Sequence, residues 1–213
     1  AIAAAELPLV SEVPTGTYVD MCANLPLAKP EAIPCPTLVI RGEFDGIAAE
    51  PDLLDQARVM FSTDTDLTAA EALQSSSKML VNLPDSWDSS NKDFEGQSWY
   101  QIEFRLDPNK PKPNAVFLPR AVMNAHAYLN GYWIGGLGTL EGDITRHWNH
   151  PYLFQFSPEL LNAGNNILLI QVAGYKNYRS GLGRVWVGTS NTLEPLYDSA
   201  YRWQVTGSML ATL

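Results

Sequence analysis

The stretch richest in chemistry is Thr145-Arg146-His147-Trp148-Asn149-His150-Pro151, which brings a cation, two imidazoles, an indole and an amide together. Trp148 offers a flat apolar face on which a sugar ring or an aromatic ligand can stack, and Arg146 and Asn149 can supply directional hydrogen bonds. The alternative is structural: Trp148 plugs the end of the fold and Arg146 pairs with a carboxylate. His147 and His150 stand three apart, a ligand spacing on a helix. Pro151 follows them, and no Cys or carboxylate is placed at metal-site spacing, so no metal is expected. Arg120, Asn124 and His126 share one face of an extended segment by parity. A face of that composition is either open to solvent or the floor of a polar groove. Tyr175, with Asn177, Tyr178 and Arg179, follows an apolar run and can form the rim of such a groove. The candidate ligand-binding set is therefore Arg120, Asn124, His126, Arg146, His147, Trp148, Asn149 and Tyr175. A second cluster, Asp85, Asp88, Asp93 and Glu95, admits three readings. Paired carboxylates can hydrolyse glycosides, loop oxygens can bind Ca²⁺, or the cluster is a solvated acidic loop.

Other chemistry is missing. The chain has no G-x-S-x-G, G-x-G-x-x-G, phosphate-binding loop or H-E-x-x-H, so neither a catalytic set nor a cofactor is expected. Its 213 residues are 46% apolar and 17% charged, enough to bury a core. The net charge of −9 and pI near 4.7 repel phosphate, which argues against a nucleic-acid partner. No apolar run is long enough to span a bilayer. The charge is divided unevenly: residues 1–75 carry twelve Asp/Glu and three Lys/Arg, and residues 76–213 carry eleven of each. Cys22 and Cys35 both lie in the first part and are either a disulfide or a free pair.

The elements that must position these groups change in character along the chain. Six prolines between Pro8 and Pro36 oppose long helices and central strands. Thr37–Ile40 reads as a short strand, Pro51–Met60 as a short helix with Pro51 in its first turn, and Ser75–Ser77 as a linker. From Met79 the pattern is one of short strands separated by turns: 79–83, 99–106, 115–118, 121–129, 153–156, 166–172 and 184–187, the last expected beside 166–172. Asn130-Gly131 between apolar residues is a strong hairpin signal, because both turn residues need positive φ. A short helix is expected from Tyr201. The fold expected is mainly β, an antiparallel sandwich with a Pro-rich, partly helical N-terminal segment.

Several motifs carry a resemblance: Leu83-Pro84-Asp85-Ser86-Trp87, Trp99-Tyr100, Leu118-Pro119-Arg120, Tyr128-Leu129-Asn130-Gly131, Arg146-His147-Trp148-Asn149 and Gly164-Asn165-Asn166. Over about residues 55–205 their order resembles the extracytoplasmic, galactose-binding-like jelly-roll sensor modules of bacterial sensor histidine kinases and related seven-helix receptors. The L-P-D-x-W, Y-L-N-G and G-x-N pieces also look like the sugar-binding jelly-roll domain of family 2 glycoside hydrolases. The sensor resemblance implies a non-catalytic, ligand-sensing domain at the periplasmic or extracellular face, tethered to a membrane and coupled to signalling domains. Its ligand would be a small molecule, with saccharides among the candidates. The glycosidase resemblance implies an accessory sugar-binding domain, and a sandwich that binds only proteins is the third possibility. Residues 14–54, with Asp45 at a strand end, resemble a late fragment of an α/β-hydrolase that lacks nucleophile and base. The expected organisation is an N-terminal segment (1–56), a connecting segment (57–78), the jelly roll (79–205) and a tail (206–213) leading toward a membrane segment.

Overall fold

The computed structural model describes residues 51–140, 147, 149–176 and 180–207. The Pro-rich segment, Thr37–Ile40, both cysteines, Asp45, Arg146, Trp148 and Asn177–Arg179 lie outside the described residues.

Thirteen strands among the described residues build three antiparallel sheets. The largest is formed by β2 (Gln56–Ser62), β3 (Met79–Asn82), β5 (Gly96–Arg105), β8 (Asn124–Leu129), β9 (Tyr132–Leu137) and β11 (Asn165–Gly174), in the order β3-β2-β5-β11-β8-β9. A second sheet of four strands combines β1 (Asp52–Leu54), β6 (Ala115–Leu118), β10 (Tyr152–Gln155) and β13 (Val185–Gly188), in the order β1-β13-β6-β10. A small third sheet joins β4 (Asp85–Ser86), β7 (Ala121–Val122) and β12 (Gly181–Leu182). Three helices accompany them: α1 (Ala69–Gln74), the single turn α2 (Trp87–Ser90), and α3 (Ser190–Tyr201), which runs on into a wider turn over Arg202–Thr206.

The strands alternate, and alternation decides the layers. Ala57, Val59, Tyr100, Ile102, Ala125, Ala127, Leu168, Ile170 and Val172 point inward from the large sheet. They meet Val116, Leu118, Tyr152, Phe154, Val185 and Val187 from the four-stranded sheet, closing one buried core. Each buried Val, Leu, Ile or Phe among them contributes roughly 1.5–3 kcal/mol by leaving water. The antiparallel β-sandwich expected from the sequence is the fold observed. Each of the two larger sheets also carries a helix on its outer face. Leu193, Tyr197 and Ala200 of α3 pack on Phe117, Leu153 and Trp186. Ala72 of α1 packs on Met60, Trp99 and Leu169.

The polar part of the interior explains three of the sequence motifs. The Tyr100 hydroxyl donates to Asp85 Oδ2 at 2.7 Å and accepts from Trp87 Nε1 at 3.0 Å, so L-P-D-S-W is a buried hydrogen-bond clasp. Burial and the Asp85 charge together push the Tyr100 phenol far above its ordinary range. Asn130 accepts from the Ile167 amide at 2.9 Å and donates to Leu160 O at 2.7 Å and Asn166 Oδ1 at 2.9 Å. Asn166 in turn binds the backbone of Asn162 and Gly164. Y-L-N-G and G-x-N are thus two halves of one latch at an end of the sandwich. The expected hairpin is present: Asn130 (φ 51°) and Gly131 (φ 87°) join β8 to β9.

Four expectations are corrected. Pro51–Met60 is not a helix but β1 and the start of β2, so the sheets begin at Asp52, ahead of the expected jelly-roll boundary. The expected connecting segment 57–78 contains most of β2, which pairs with β3 on one side and β5 on the other. Ala57, Val59 and Phe61 point inward while Met60 points outward, and partners on both sides outweigh local helix preference. Residues 185–188 pair with β1 and β6 rather than beside β11. The last helix starts at Ser190, not Tyr201.

Candidate functional site

Outward-pointing residues of the large sheet form a grid that the strand registers define. One row reads Met60, Trp99, Gln171, His126 and Gly136 across successive strands. The next reads Arg58, Gln101, Leu169, Tyr128 and Trp133. Helix α1 covers the Met60 side of this grid. The remainder is the floor of an open cleft of about 730 Å³, made by Trp99, Gln171, His126 and Tyr128 and walled by Thr65–Ala69 and Gly138–Leu140.

A row of aromatic rings runs through the floor and on to Trp133 beside it. Trp99 and Tyr128 lie 6.0 Å apart at 36°, Tyr128 and Trp133 5.3 Å apart at 75°, and Trp133 and His126 4.9 Å apart at 82°. Trp99 is buried, Tyr128 half-buried, and Trp133 is 52% exposed, so the row climbs from the sheet to the solvent. Gly136 makes the outer end feasible. A Cβ there would stand 2.4 Å from His126 Cδ2 and 2.5 Å from Trp133 Cη2.

Polar groups punctuate the floor. His126 Nε2 donates to the Gly138 carbonyl at 3.2 Å, a bond that requires the proton on Nε2. The Cδ2 edge of the ring faces Gly136, so Nδ1 is turned away from β9. Burial holds the His126 ring below its ordinary pKa, against the raising effect of the Gly138 bond. Gln171 Nε2 donates to Gln97 Oε1 at 2.6 Å. Trp99 Nε1 and Gln97 Nε2 are buried donors without a partner among the described residues. The α1 wall is fixed by a capping box: Glu71 N–H donates to the Thr68 hydroxyl, and Thr68 N–H donates to the Glu71 carboxylate at 2.8 Å.

The sequence-predicted residues divide between this cleft and other places. His126 is in its floor and Asn124 is beside it on the same strand face. Asn124 donates to Thr139 O at 2.5 Å and accepts from His147 Nδ1 at 3.0 Å, joining β8 to both flanking loops. Burial and the neighbouring His150 hold the His147 ring below its ordinary pKa. Arg120 does not share the strand face, as parity had implied. Met123 at φ 70° interrupts the strand, and β7 pairs with β12 in the small sheet while β8 joins the large one. Arg120 is exposed, and its carbonyl accepts from Gly183 N–H at 2.9 Å. Asn149 turns to the wider turn over Arg202–Thr206 and donates to Gln204 O. His150 packs edge-on against Tyr201 with centroids 5.6 Å apart. Tyr175 lies just past β11, half-buried, and does not line the cleft. Arg146 and Trp148 lie outside the described residues. Asp85 is committed to Tyr100 and Ser90, and no three acidic, His or Cys side chains group as a metal site among the described residues.

Sequence reasoning missed Trp99, Tyr128, Trp133 and Gln171. Parity counted onward from Asn124 and His126 reaches Tyr128, and counted along β5 reaches Trp99. Starting the count at Arg120, across the break at Met123, concealed this.

No family model matches the chain, and no curated protein matches it in sequence. Solved structures do. A β-glucuronidase from Ruminococcus gnavus in complex with C6-substituted uronic isofagomine superposes with a TM-score of 0.53 at 17% identity, over 68% of this chain and 30% of that one. The apo form of the R. gnavus enzyme gives 0.52 at 17% identity, over 68% and 30%. Its complex with D-glucaro 1,5-lactone gives 0.52 at 17%, over 65% and 29%. The likeness is one of fold, a β-sandwich domain, and this chain spans about a third of those enzymes' length. No helix among the described residues is long and apolar enough to cross a membrane.

Proposed function

We propose that this chain is a non-catalytic saccharide-binding sandwich, the accessory domain of a glycoside hydrolase. The observation that carries the reading is the aromatic cleft on the outer face of the large sheet. Tyr128 provides a half-buried ring face in the floor, with the exposed ring of Trp133 packed edge-on beside it, while Gln171 and His126 supply polar atoms, the combination that suits a sugar's C–H face and hydroxyl edge. Support for a glycosidase rather than a sensory receptor comes from the fold's likeness to β-glucuronidases. The rest of the polypeptide would then carry the catalytic groups, and its gene would encode a catalytic domain rather than membrane helices.

A thermal-shift and tryptophan-fluorescence screen of the chain against mono- and disaccharides tests this. A ligand at about 100 times its Kd adds about 2.7 kcal/mol to the native state, a rise of several degrees at this size. The expected result is a rise with sugars that disappears in Tyr128→Ala, with no release of p-nitrophenol from chromogenic glycosides. A flat response to every sugar would overturn the proposal.

A further inference from the structure

The polar groups of the cleft also specify the charge of what enters it, an inference that rests on the saccharide-binding reading. Among the described residues that line the cleft, the one with a formal charge at neutral pH is Asp66, exposed at the rim, and none of them is a Lys or Arg. The floor adds lone pairs. Gln171 spends its Nε2 on Gln97, which leaves its Oε1 as an acceptor. His126 spends Nε2–H on the Gly138 carbonyl, which leaves Nδ1 as an acceptor turned away from β9.

A sugar hydroxyl meets that demand by donating to Gln171 Oε1 or His126 Nδ1. A carboxylate only accepts. It would face those two lone pairs and the Asp66 charge at the rim, and the described lining offers no cation to compensate its desolvation. We infer that the cleft selects a neutral pyranoside and rejects the corresponding uronate, which sets it apart from the uronic ligand and aldarolactone named for the structurally similar enzymes.

The test compares matched pairs that differ only at C6: methyl β-glucoside with methyl β-glucuronide, and the galacto- and manno-configured pairs, by protein-observed NMR titration of the full chain at pH 7.5. In at least one pair the neutral glycoside should bind ten-fold or more tightly than its uronide. Asp66→Asn should narrow that gap several-fold without unfolding the chain, and Tyr128→Ala should abolish binding of both members. A uronide that binds as tightly as its neutral partner, and is lost in Tyr128→Ala, would overturn the selectivity and leave the saccharide-binding site standing. Absence of binding by all six glycosides, or binding indifferent to Tyr128→Ala, would overturn both.

Discussion

At the scale of single residues, the buried polar groups divide into those that hold the fold and those that face the cleft. The Asp85–Tyr100–Trp87 clasp belongs to the first kind. Tyr100→Phe leaves a carboxylate and an indole N–H without their shared partner, a loss of about 1–3 kcal/mol. Urea denaturation should register it as a lower midpoint at unchanged slope, and an unchanged midpoint would deny the clasp its role. The histidines add a pH dependence. Burial holds His126 and His147 below the ordinary value of 6.5, so the unfolded chain takes up their protons at higher pH than the folded chain does. Their contribution to stability is therefore complete above about pH 6.5 and is lost as pH falls through 6.5 toward the folded values. The urea midpoint should drop between pH 8 and pH 5, and the double variant His126→Gln/His147→Gln should flatten that drop.

At the scale of elements, the cleft is made by two supports that can be disturbed separately. Thr68→Ala removes the N-cap of α1, which costs about 1 kcal/mol of helix stability and loosens one wall. Gly136→Ala places a methyl group against His126 and Trp133 at the other side, so saccharide affinity should fall more than thermal stability does. An affinity change in Gly136→Ala no larger than that of a substitution on the four-stranded sheet would separate the aromatic row from binding. Elements also show where sequence reading succeeds. The hairpin at Asn130-Gly131 and strands β5, β6, β8, β10 and β11 were legible because turn residues and alternation are local signals. β2 was not, since Pro51 and Glu50 mimic a helix start and its strand state depends on β3 and β5, remote in sequence. The start of α3 was missed because Pro195 masks the spacing of Leu193, Tyr197 and Ala200. The same local–remote division applies to the cleft. Asn124 and His126 were found by parity on one strand, whereas Trp99, Gln171 and Trp133 become their neighbours only through pairing registers that no single segment encodes. The motifs carrying the family resemblances describe the clasp and the latch. Trp99 and Tyr128 also stand in two of those motifs, but nothing in the motifs shows that the two strands bring them to one face.

At the scale of the whole molecule, β11 is the central organiser. It pairs with β5 along ten residues and with β8 along six, and its inward side chains Leu168, Ile170 and Val172 lie at the middle of the core. Ile170→Ala should cost about 2–5 kcal/mol, a large share of the 5–15 kcal/mol that domains commonly possess. The effect should appear as a drop of the entire unfolding transition, with no separate early phase. The pairing of β1 with β13 has a different consequence. Asp52 lies opposite Val187 in an antiparallel ladder, so the first and last strands of the sandwich run side by side at one edge of the four-stranded sheet. Opening that sheet at Asp52 would therefore release Val185–Val187 from one side at the same time, and α3, which follows β13 and packs on the same sheet, would lose part of its footing. In that respect the ladder at Asp52–Leu54 acts as a seam: among the described residues it stitches the start of the sandwich to its end.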